Sequence, residues 1–249
     1  MRQNFKLILE YDGACYHGWQ RQKDVATIQG TLEAALNVMT GQPVTVIGSG
    51  RTDAGVHASN QVANFVVDSR LTAQVFRKGL NSLLPDDIVI KACSEVARSF
   101  HARYDASSKI YEYVILNQRL PRAIFRQYAW HVRNRLDLAA MRQAVSALKG
   151  THDFSAFQAS GSPRSTAVRT VLDVSLVQAR RGADYLVFRI EADGFLRCMV
   201  RNIVGTLVDV GRGKISPETF SDILKSKNRN NAGVTAPPHG LFLKAVRYR

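Results

Sequence analysis

Apolar residues in the first part of the chain switch between two spacings. They occupy every second position from Phe5 to Tyr11, which predicts a strand. Directly after Thr27, a residue type that caps helices, they recur at helical spacing from Ile28 to Met39. Further apolar runs predict strands at 44–47, at 61–67 and from 88, and a second helix at 71–84. This order, β-α-β-β-α-β, is that of the split βαβ motif.

The second half repeats the order of elements without repeating the sequence. Its apolar pattern predicts strands at 109–116, 171–177, 185–190 and 240–246, helices after Asp137 and at 195–210, and a short helix opening at Ser216 and Pro217. Ser107 and Ser108 interrupt the pattern, so two domains are predicted, 1–105 and 106–249. We therefore expect an α+β fold, in which two related split-βαβ (ferredoxin- or RRM-like) units share a long, mainly antiparallel sheet with helices on one face and a central active-site cleft.

The charge and the cysteine content limit which partners, crosslinks and metal sites the protein is expected to have. Lys and Arg number 34 against 20 Asp and Glu, giving a net charge of +14, which favours a polyanionic partner such as nucleic acid. Three widely separated cysteines indicate neither a disulfide framework nor a zinc site. No signal peptide and no apolar run of membrane-spanning length is evident, so we expect a cytoplasmic protein without a membrane partner.

The densest chemical feature is the segment GSGRTDAGVHA, here called the glycine loop (residues 48–58). Its glycines permit backbone conformations that other residues avoid, and they bracket Arg51 and Asp53. A rigid loop can hold a carboxylate in a cleft, and an adjacent guanidinium favours its ionised form, which is a usable nucleophile or base. A turn aspartate that accepts backbone hydrogen bonds is the commoner explanation of such a residue beside glycine.

Other catalytic motifs are absent from the sequence. The glycine loop lacks the Lys-Ser/Thr ending of a P-loop, and it does not open a helix as a dinucleotide-binding G-x-G-x-x-G does. No G-x-S-x-G elbow occurs, and the six histidines show no metal-ligand spacing. We therefore predict no metal.

Two further segments carry residues suited to RNA chemistry. Tyr111 and Tyr113 share one face of a predicted strand, as core residues or as a stacking platform for an extruded base. Arg197 and Arg201 are four apart in the predicted helix 195–210, on a solvated face or at an inner edge facing a carboxylate.

Together these pieces resemble the tRNA pseudouridine synthase A family. The resemblance covers nearly the whole chain in family order, and the R-T-D-A-G-V-H loop is its most specific part. The matching pieces are YDG…HGWQRQ (11–22), TIQGTLE (27–33), GSGRTDAGVHA (48–58), SSKIYEY (107–113), ADGFLRCMVRNIVGTL (192–207) and APPHGLFL (236–243).

The resemblance implies that uridine is converted to pseudouridine in the anticodon stem-loop of tRNA, at positions 38, 39 and 40. It also implies a homodimer without cofactor or metal. The family's catalytic aspartate, the nucleophile, falls on Asp53, its active-site tyrosine on Tyr111, and the arginine that pairs with the aspartate on Arg201. Arg51, His57 and Leu241 fall at positions expected to bind the substrate.

The chemistry leaves some alternatives open. The carboxylate can attack the sugar C1′ or the uracil ring, or it can remove a sugar proton to give a glycal. Phosphate contacts are expected from basic residues outside the site. The candidates are Arg21, Lys23, Arg77, Lys78, Arg164 and Arg169.

Two rival functions compete with isomerisation. A non-catalytic RNA-binding or chaperone protein on a duplicated RRM-like fold explains the charge and the element order, but not the Arg-Thr-Asp triplet in its glycine frame. A carboxylate-dependent nucleosidase or glycosidase usually needs two carboxylates, and Asp12 is the only other conspicuous candidate.

Overall fold

In the computed structural model, the described residues are 2–159, 166–179 and 184–249. They form two compact units, one of Met1–Ser107 with Phe242–Arg249 and one of Ser108–Leu241. The predicted boundary, between 105 and 106, lies two residues before the boundary of these units, and the predicted domains left the C-terminal strand with the second domain. That strand falls in the first unit, where Phe242 and Leu243 pair in parallel with His57 and Ala58.

The described residues contain ten strands and five α-helices. The first unit contains β1 (Arg2–Tyr11), α1 (Ile28–Thr40), β2 (Val46–Gly48), β3 (His57–Asp68), α2 (Ala73–Leu83) and β4 (Ile88–Val96). The second contains β5 (Ala106–Asn117), β6 (Trp130–Val132), α3 (Leu138–Ser146), β7 (Gly150–Asp153), β8 (Val168–Gln178), β9 (Tyr185–Ala192), α4 (Met199–Gly211) and α5 (Pro217–Ser226). The chain closes with β10 (Leu241–Tyr248), which begins in the second unit and continues in the first.

The first unit is a sheet with two helices packed on it. Its strands are ordered β4-β1-β3-β10, and β2 pairs with β3. Phe5 of β1 and Phe65 of β3 lie opposite each other, and Phe76 of α2 packs on both, with ring centroids 4.8 and 5.2 Å away. Burial of these three rings provides much of the apolar contact that fixes α2 on the sheet.

The second unit has its own sheet, ordered β5-β9-β8-β7, with β6 beside β5. Its central helix is α4, in which eleven of thirteen residues are buried. A helix that is apolar around most of its circumference belongs in a core. Among the polar exceptions are Asn202 and Thr206, which are fully buried and lie beside the candidate site described below.

The predicted helix caps are confirmed. Thr27 accepts a hydrogen bond from the Gly30 amide at 3.3 Å, and Gly41 ends α1 with a left-handed φ of 67°. Asp137 accepts from the first amides of α3, and Ser216 precedes α5, whose first residue is the proline.

The prediction of a helix starting at Phe195 was wrong. Cys198 adopts a left-handed φ of 59°, and α4 begins at Met199. Arg197 therefore precedes the helix, so it does not share a helix face with Arg201. Strand β7 was missed because its four residues, GTHD, have no apolar alternation.

The α+β class is confirmed. Pairing within each unit is antiparallel, except that β10 runs parallel to β3 and β6 parallel to β5. Across the described ranges, no helix combines the length and apolar character needed to cross a bilayer.

Candidate active site

In the first unit, the glycine loop connects β2 to β3 and is fixed by the segment that follows β1. The Trp19 amide donates to the Thr52 carbonyl at 3.0 Å, and the Gly55 amide donates to the Tyr16 carbonyl at 3.2 Å. These two bonds hold the backbone on both sides of Asp53. The YDG…HGW segment, which the sequence analysis named as one piece of the family resemblance, is therefore the scaffold of the loop.

Close backbone approach explains two glycines in this scaffold. A Cβ on Gly13 would lie 2.1 Å from the Val56 carbonyl oxygen, so no larger residue fits without moving the loop. Gly18 has a φ of 89°, and a Cβ there would lie 2.6 Å from the Thr52 carbonyl oxygen. Both contacts are with backbone atoms, which cannot rotate away as side chains can.

Buried polar side chains support the loop from below. The Tyr11 hydroxyl and Thr52 Oγ1 are 2.8 Å apart, and Gln61 Nε2 donates to the Gly50 carbonyl at 3.0 Å. Ser49 Oγ donates to Gln61 Oε1 at 2.7 Å. Burial raises the pKa of Tyr11 to about 12, so this hydroxyl stays neutral and bonded at ordinary pH.

Burial changes from residue to residue along the centre of the loop. Thr52 is 6% exposed, whereas Asp53 is half-buried and Arg51 is exposed. The Asp53 carbonyl accepts a hydrogen bond from the Val56 amide at 3.2 Å. Asp53 is thus held by its backbone and by a buried neighbour, and the residue as a whole is partly buried.

His57, predicted to bind substrate, lies near the end of the glycine loop and is buried. Its side chain is 2% exposed, and its ring stacks on Phe242 with centroids 4.8 Å apart. Nδ1 lies 2.9 Å from Asp12 Oδ1 and 3.1 Å from the Gly13 amide. These contacts occupy the ring and favour a structural role. Asp12, which a glycosidase mechanism would need as its second carboxylate, is thus in contact with a buried histidine.

The second unit carries the other candidates on β5, in α4 and at the start of β10. Tyr111 on β5 is buried, and the Phe195 ring meets it edge-on with centroids 4.8 Å apart. Tyr113, two residues along the strand, donates from its hydroxyl to the Pro237 carbonyl at 2.8 Å. Burial raises the pKa of Tyr113 above its ordinary value. Tyr113 therefore supports the segment around Pro237, and Phe195, which the sequence did not single out, positions Tyr111.

Arg201 lies in the first turn of α4 and is held by the same segment. Its Nε donates to the Ala236 carbonyl at 2.8 Å, and the Ala236 amide donates to the Arg201 carbonyl at 3.1 Å. These two bonds fix the orientation of the guanidinium. Leu241, also predicted to bind the substrate, is buried five residues further on, at the start of β10.

Polar side chains of α4 bind the 229–237 segment. Asn202 Oδ1 accepts from the Thr235 hydroxyl at 2.7 Å and from Arg229 at 3.2 Å, while its Nδ2 donates to the Phe157 carbonyl at 2.8 Å. Thr206 accepts from the Gly233 amide at 2.9 Å. This network was not predicted from the sequence. Its signal is a set of polar or small residues, RN..GT, on one edge of an otherwise apolar helix.

Gly205 allows the segment to approach α4. A Cβ at this position would lie 1.7 Å from the Val234 carbonyl oxygen, far inside any allowed contact. The glycine therefore sets the distance at which Arg201 meets Ala236.

The predicted phosphate contacts occupy varied positions. Arg21 pairs with the buried Glu33 at 2.6 Å, and Glu33 also accepts a hydrogen bond from the Val46 amide. Arg21 therefore balances the negative charge of a carboxylate that has a structural role. Arg169 is half-buried and donates to the Thr166 carbonyl at 3.2 Å. Arg164 lies outside the described residues. The remaining candidates, Lys23, Arg77 and Lys78, are exposed.

No group of three or more His, Cys, Asp or Glu side chains able to hold a metal ion occurs within residues 2–159, 166–179 and 184–249.

Comparison with known proteins adds independent information. A family model described as tRNA pseudouridine synthase matches residues 7–105 and 144–249. The tRNA pseudouridine synthase A of Thermoanaerobacter sp. (strain X514) is 48% identical over 246 residues, which cover 99% of this chain and 100% of that protein. The protein of the same name from Acetivibrio thermocellus is 50% identical over 246 residues, with the same coverage. A solved archaeal box H/ACA sRNP Nop10–Cbf5 complex gives a TM-score of 0.41 at 9% identity, covering 83% of this chain and 44% of that chain, which is too low to support an argument.

Proposed function

This chain belongs to the tRNA pseudouridine synthase family, and from that premise we propose that it isomerises uridine to pseudouridine in the anticodon stem-loop of tRNA, at positions 38, 39 and 40. The C1′–N1 bond breaks, the base turns, and a C1′–C5 bond forms. The proton lost from C5 is balanced by one gained at N1. The reaction neither adds a group nor transfers electrons to an acceptor, so its stoichiometry requires no cofactor.

The observation that carries the proposal is the placement of Asp53. Its backbone is fixed between the Thr52 and Gly55 hydrogen bonds, while its side chain is half-buried. A preorganised carboxylate that a nucleotide can reach is suited to act as the nucleophile. A turn aspartate of no function would not require the buried frame of Tyr11 and Gln61 beneath it.

We assign the remaining roles by chemistry. Tyr111 stacks on the uracil, with its ring oriented by Phe195, and its hydroxyl assists the removal of the C5 proton. Leu241 borders the base. Arg201, whose guanidinium is oriented by the Ala236 carbonyl, is suited to pair with a carboxylate.

Access of the uridine to this site requires that it leave its stack. The exposed Arg51 fills the space that the extruded nucleotide vacates, and the extrusion itself costs a few kcal/mol. The net charge of +14, together with the exposed Lys23, Arg77 and Lys78, supports binding to the RNA backbone. We further propose a cytoplasmic homodimer. The comparisons with known proteins give no support to the rival, a non-catalytic RNA-binding protein.

The test is a pseudouridine assay on unmodified tRNA with the wild type, Asp53→Asn and Asp86→Asn. Asp86 is an exposed aspartate of the same unit, so its variant is matched in charge and chemistry. We expect product from the wild type and from Asp86→Asn, and none from Asp53→Asn. We expect Asp53→Asn to bind tRNA with at least wild-type affinity, because removing one negative charge does not weaken attraction to phosphates.

Two results would contradict the proposal. Turnover by Asp53→Asn at the wild-type rate would remove the carboxylate from the reaction. A wild type that binds tRNA but forms no pseudouridine would support the non-catalytic rival. The site assignment is checked by mapping the product, which we expect at positions 38, 39 and 40.

A further inference from the structure

A five-residue turn of the first unit, His101–Asp105, lies between β4 and β5 and exposes two side chains suited to binding RNA. Arg103 is exposed, and Tyr104 is 74% exposed, the highest value among the exposed large apolar and aromatic residues. Neither residue has a role in the reaction proposed above.

Hydrogen bonds within the turn fix its shape. The His101 amide donates to Asp105 Oδ2 at 2.9 Å, and the Asp105 amide donates to the His101 carbonyl at 3.1 Å. His101 Nδ1 accepts from the amides of both Arg103 and Tyr104, each at 3.2 Å. The backbone that carries the two exposed side chains is therefore determined by four bonds.

The sheet anchors the turn from below. Ala102 is fully buried; its amide donates to Asn64 Oδ1 at 2.9 Å, and its carbonyl accepts from the Tyr248 hydroxyl at 2.7 Å. Asn4 Nδ2 donates to the Phe100 carbonyl at 2.8 Å. Asn4 and Asn64 are almost completely buried, and a buried amide is costly unless it is bonded. Removal of these bonds is therefore unfavourable, and the turn is held in one place.

The exposed aromatic ring is already part of a stack. The His101 and Tyr104 ring centroids are 4.2 Å apart, with planes inclined by 31°, and the Arg103 guanidinium carbon lies 5.5 Å from the Tyr104 centroid. An aromatic ring held at the surface beside a guanidinium is the arrangement on which nucleobases stack in proteins that bind unpaired RNA.

We propose that Tyr104 and Arg103 form a stacking platform for an unpaired nucleobase of the substrate RNA, with Arg103 also contacting phosphate. This inference rests on the proposed function. RNA fits the platform better than a second copy of the chain does, because each copy carries a charge of +14. The one carboxylate in the turn, Asp105, is bonded to the His101 amide, so it leaves the guanidinium for an external anion.

The platform is separated from the glycine loop along β3. Asn64, which anchors the turn, lies seven positions after His57, which is at the loop end of the strand. Because a strand rises about 3.3 Å per residue, the two positions are separated by about 23 Å along β3. The platform therefore holds a nucleotide other than the reacting uridine. Its loss should raise the Kd and KM for tRNA without changing kcat.

The experiment measures tRNA binding and pseudouridine kinetics for Tyr104→Ala, Tyr104→Phe and Arg103→Ala. Val38→Ala serves as control, because Val38 is 70% exposed in the same unit on α1 and lies outside any proposed site. We expect Tyr104→Ala to weaken binding about ten-fold or more, the range for loss of one base–aromatic stack. Tyr104→Phe should retain most of the affinity, because stacking requires the ring and not the hydroxyl. Arg103→Ala should flatten the salt dependence of binding.

The outcomes separate this inference from the proposed function. Wild-type affinity in Tyr104→Ala, in a preparation where the wild type forms pseudouridine, overturns the platform and leaves the function standing. A loss of kcat at unchanged KM, or a change in sedimentation without a change in affinity, also overturns it. No pseudouridine from the wild type overturns the proposed function, while weaker RNA binding by Tyr104→Ala would still support the platform. Thermal unfolding checks that each variant is folded.

Discussion

The two units hold their candidate catalytic residues by different means. In the first unit, the glycine loop is fixed by main-chain hydrogen bonds and by glycines, such as Gly13, that let the 11–19 segment touch its backbone. In the second unit, Arg201 is fixed by a segment bound to the polar side chains Asn202 and Thr206 of a buried helix.

The difference follows from the lengths of the two side chains that have to be positioned, those of Asp53 and Arg201. A short side chain such as that of Asp53 is placed by its own backbone, so a rigid loop is sufficient. The long side chain of Arg201 must be oriented at its far end, which requires an acceptor outside its own helix. The Ala236 carbonyl supplies that acceptor, and the side-chain network keeps it in place.

The largest expected effect comes from Gly205→Ala. The new methyl group would lie 1.7 Å from the Val234 carbonyl oxygen, so the segment must leave the helix or the helix must move. We expect a loss of at least about 3 kcal/mol in the free energy of unfolding, despite a gain of about 1 kcal/mol in helix propensity. Urea unfolding measures this change.

The counterpart in the first unit is Gly13→Ala, where the methyl group would lie 2.1 Å from the Val56 carbonyl oxygen. A comparable loss in both variants would show that main-chain contact limits both sites. Unfolding of Gly205→Ala at the wild-type urea midpoint would mean that the 229–237 segment adapts freely and does not position Arg201.

Asn202→Ala should have the next largest effect. It leaves the carbonyl of the buried Phe157 without its partner, at a cost of about 1–3 kcal/mol for a buried polar group left unbonded. Turnover should fall more than tRNA affinity, because the Ala236 carbonyl is no longer held against Arg201. Urea unfolding, kcat and Kd are the measurements.

Asn230→Ala is the matched control for this variant, since Asn230 is exposed in the same segment. It should resemble the wild type in all three measurements. Equal losses in the two variants would indicate that Asn202 has no special part in the network.

The same contrast explains how much the sequence predicted. The two α+β units, the caps at Thr27 and Asp137, and the glycine loop follow from local patterns, because capping residues and glycines act on their immediate neighbours. The network around Asn202 joins residues about thirty positions apart, and nothing local marks its partners. The start of α4 was misplaced because a left-handed Cys198 interrupts an apolar pattern that continues through it.

The buried tyrosines that support the candidate residues, Tyr11 in the first unit and Tyr113 in the second, also predict a loss of stability at alkaline pH. The pKa of Tyr11 is raised from 10.0 to about 12 by burial, so from pH 10 to 12 the unfolded chain loses this proton before the folded one does. Stability is therefore fully present below pH 10 and falls by about 1.4 kcal/mol per pH unit for this group as the pH rises.

Tyr11→Phe should remove that part of the slope, measured by urea unfolding at pH 9 and pH 10.5. Tyr113→Phe should do the same in the second unit, because burial also raises the pKa of Tyr113. A slope that neither substitution changes would mean that other groups control alkaline unfolding, among them Tyr16 and Tyr248, whose pKa values burial also raises.

The smallest effect is expected from Gly79→Ala in α2, which tests the steric argument itself. A Cβ at Gly79 would lie 2.4 Å from Met39 Cε, which is nearly as close as the 2.1 Å contact expected at Gly13. The neighbour here is the end of a flexible side chain, which can rotate away, whereas the Val56 and Val234 carbonyls belong to fixed backbone. We expect Gly79→Ala to be neutral or to stabilise the protein by up to about 1 kcal/mol through helix propensity. A loss of about 2 kcal/mol or more in the free energy of unfolding would show that Met39 is as immobile as a backbone carbonyl. The destabilisation expected for Gly205→Ala would then follow from crowding alone and would not require a contact with the backbone.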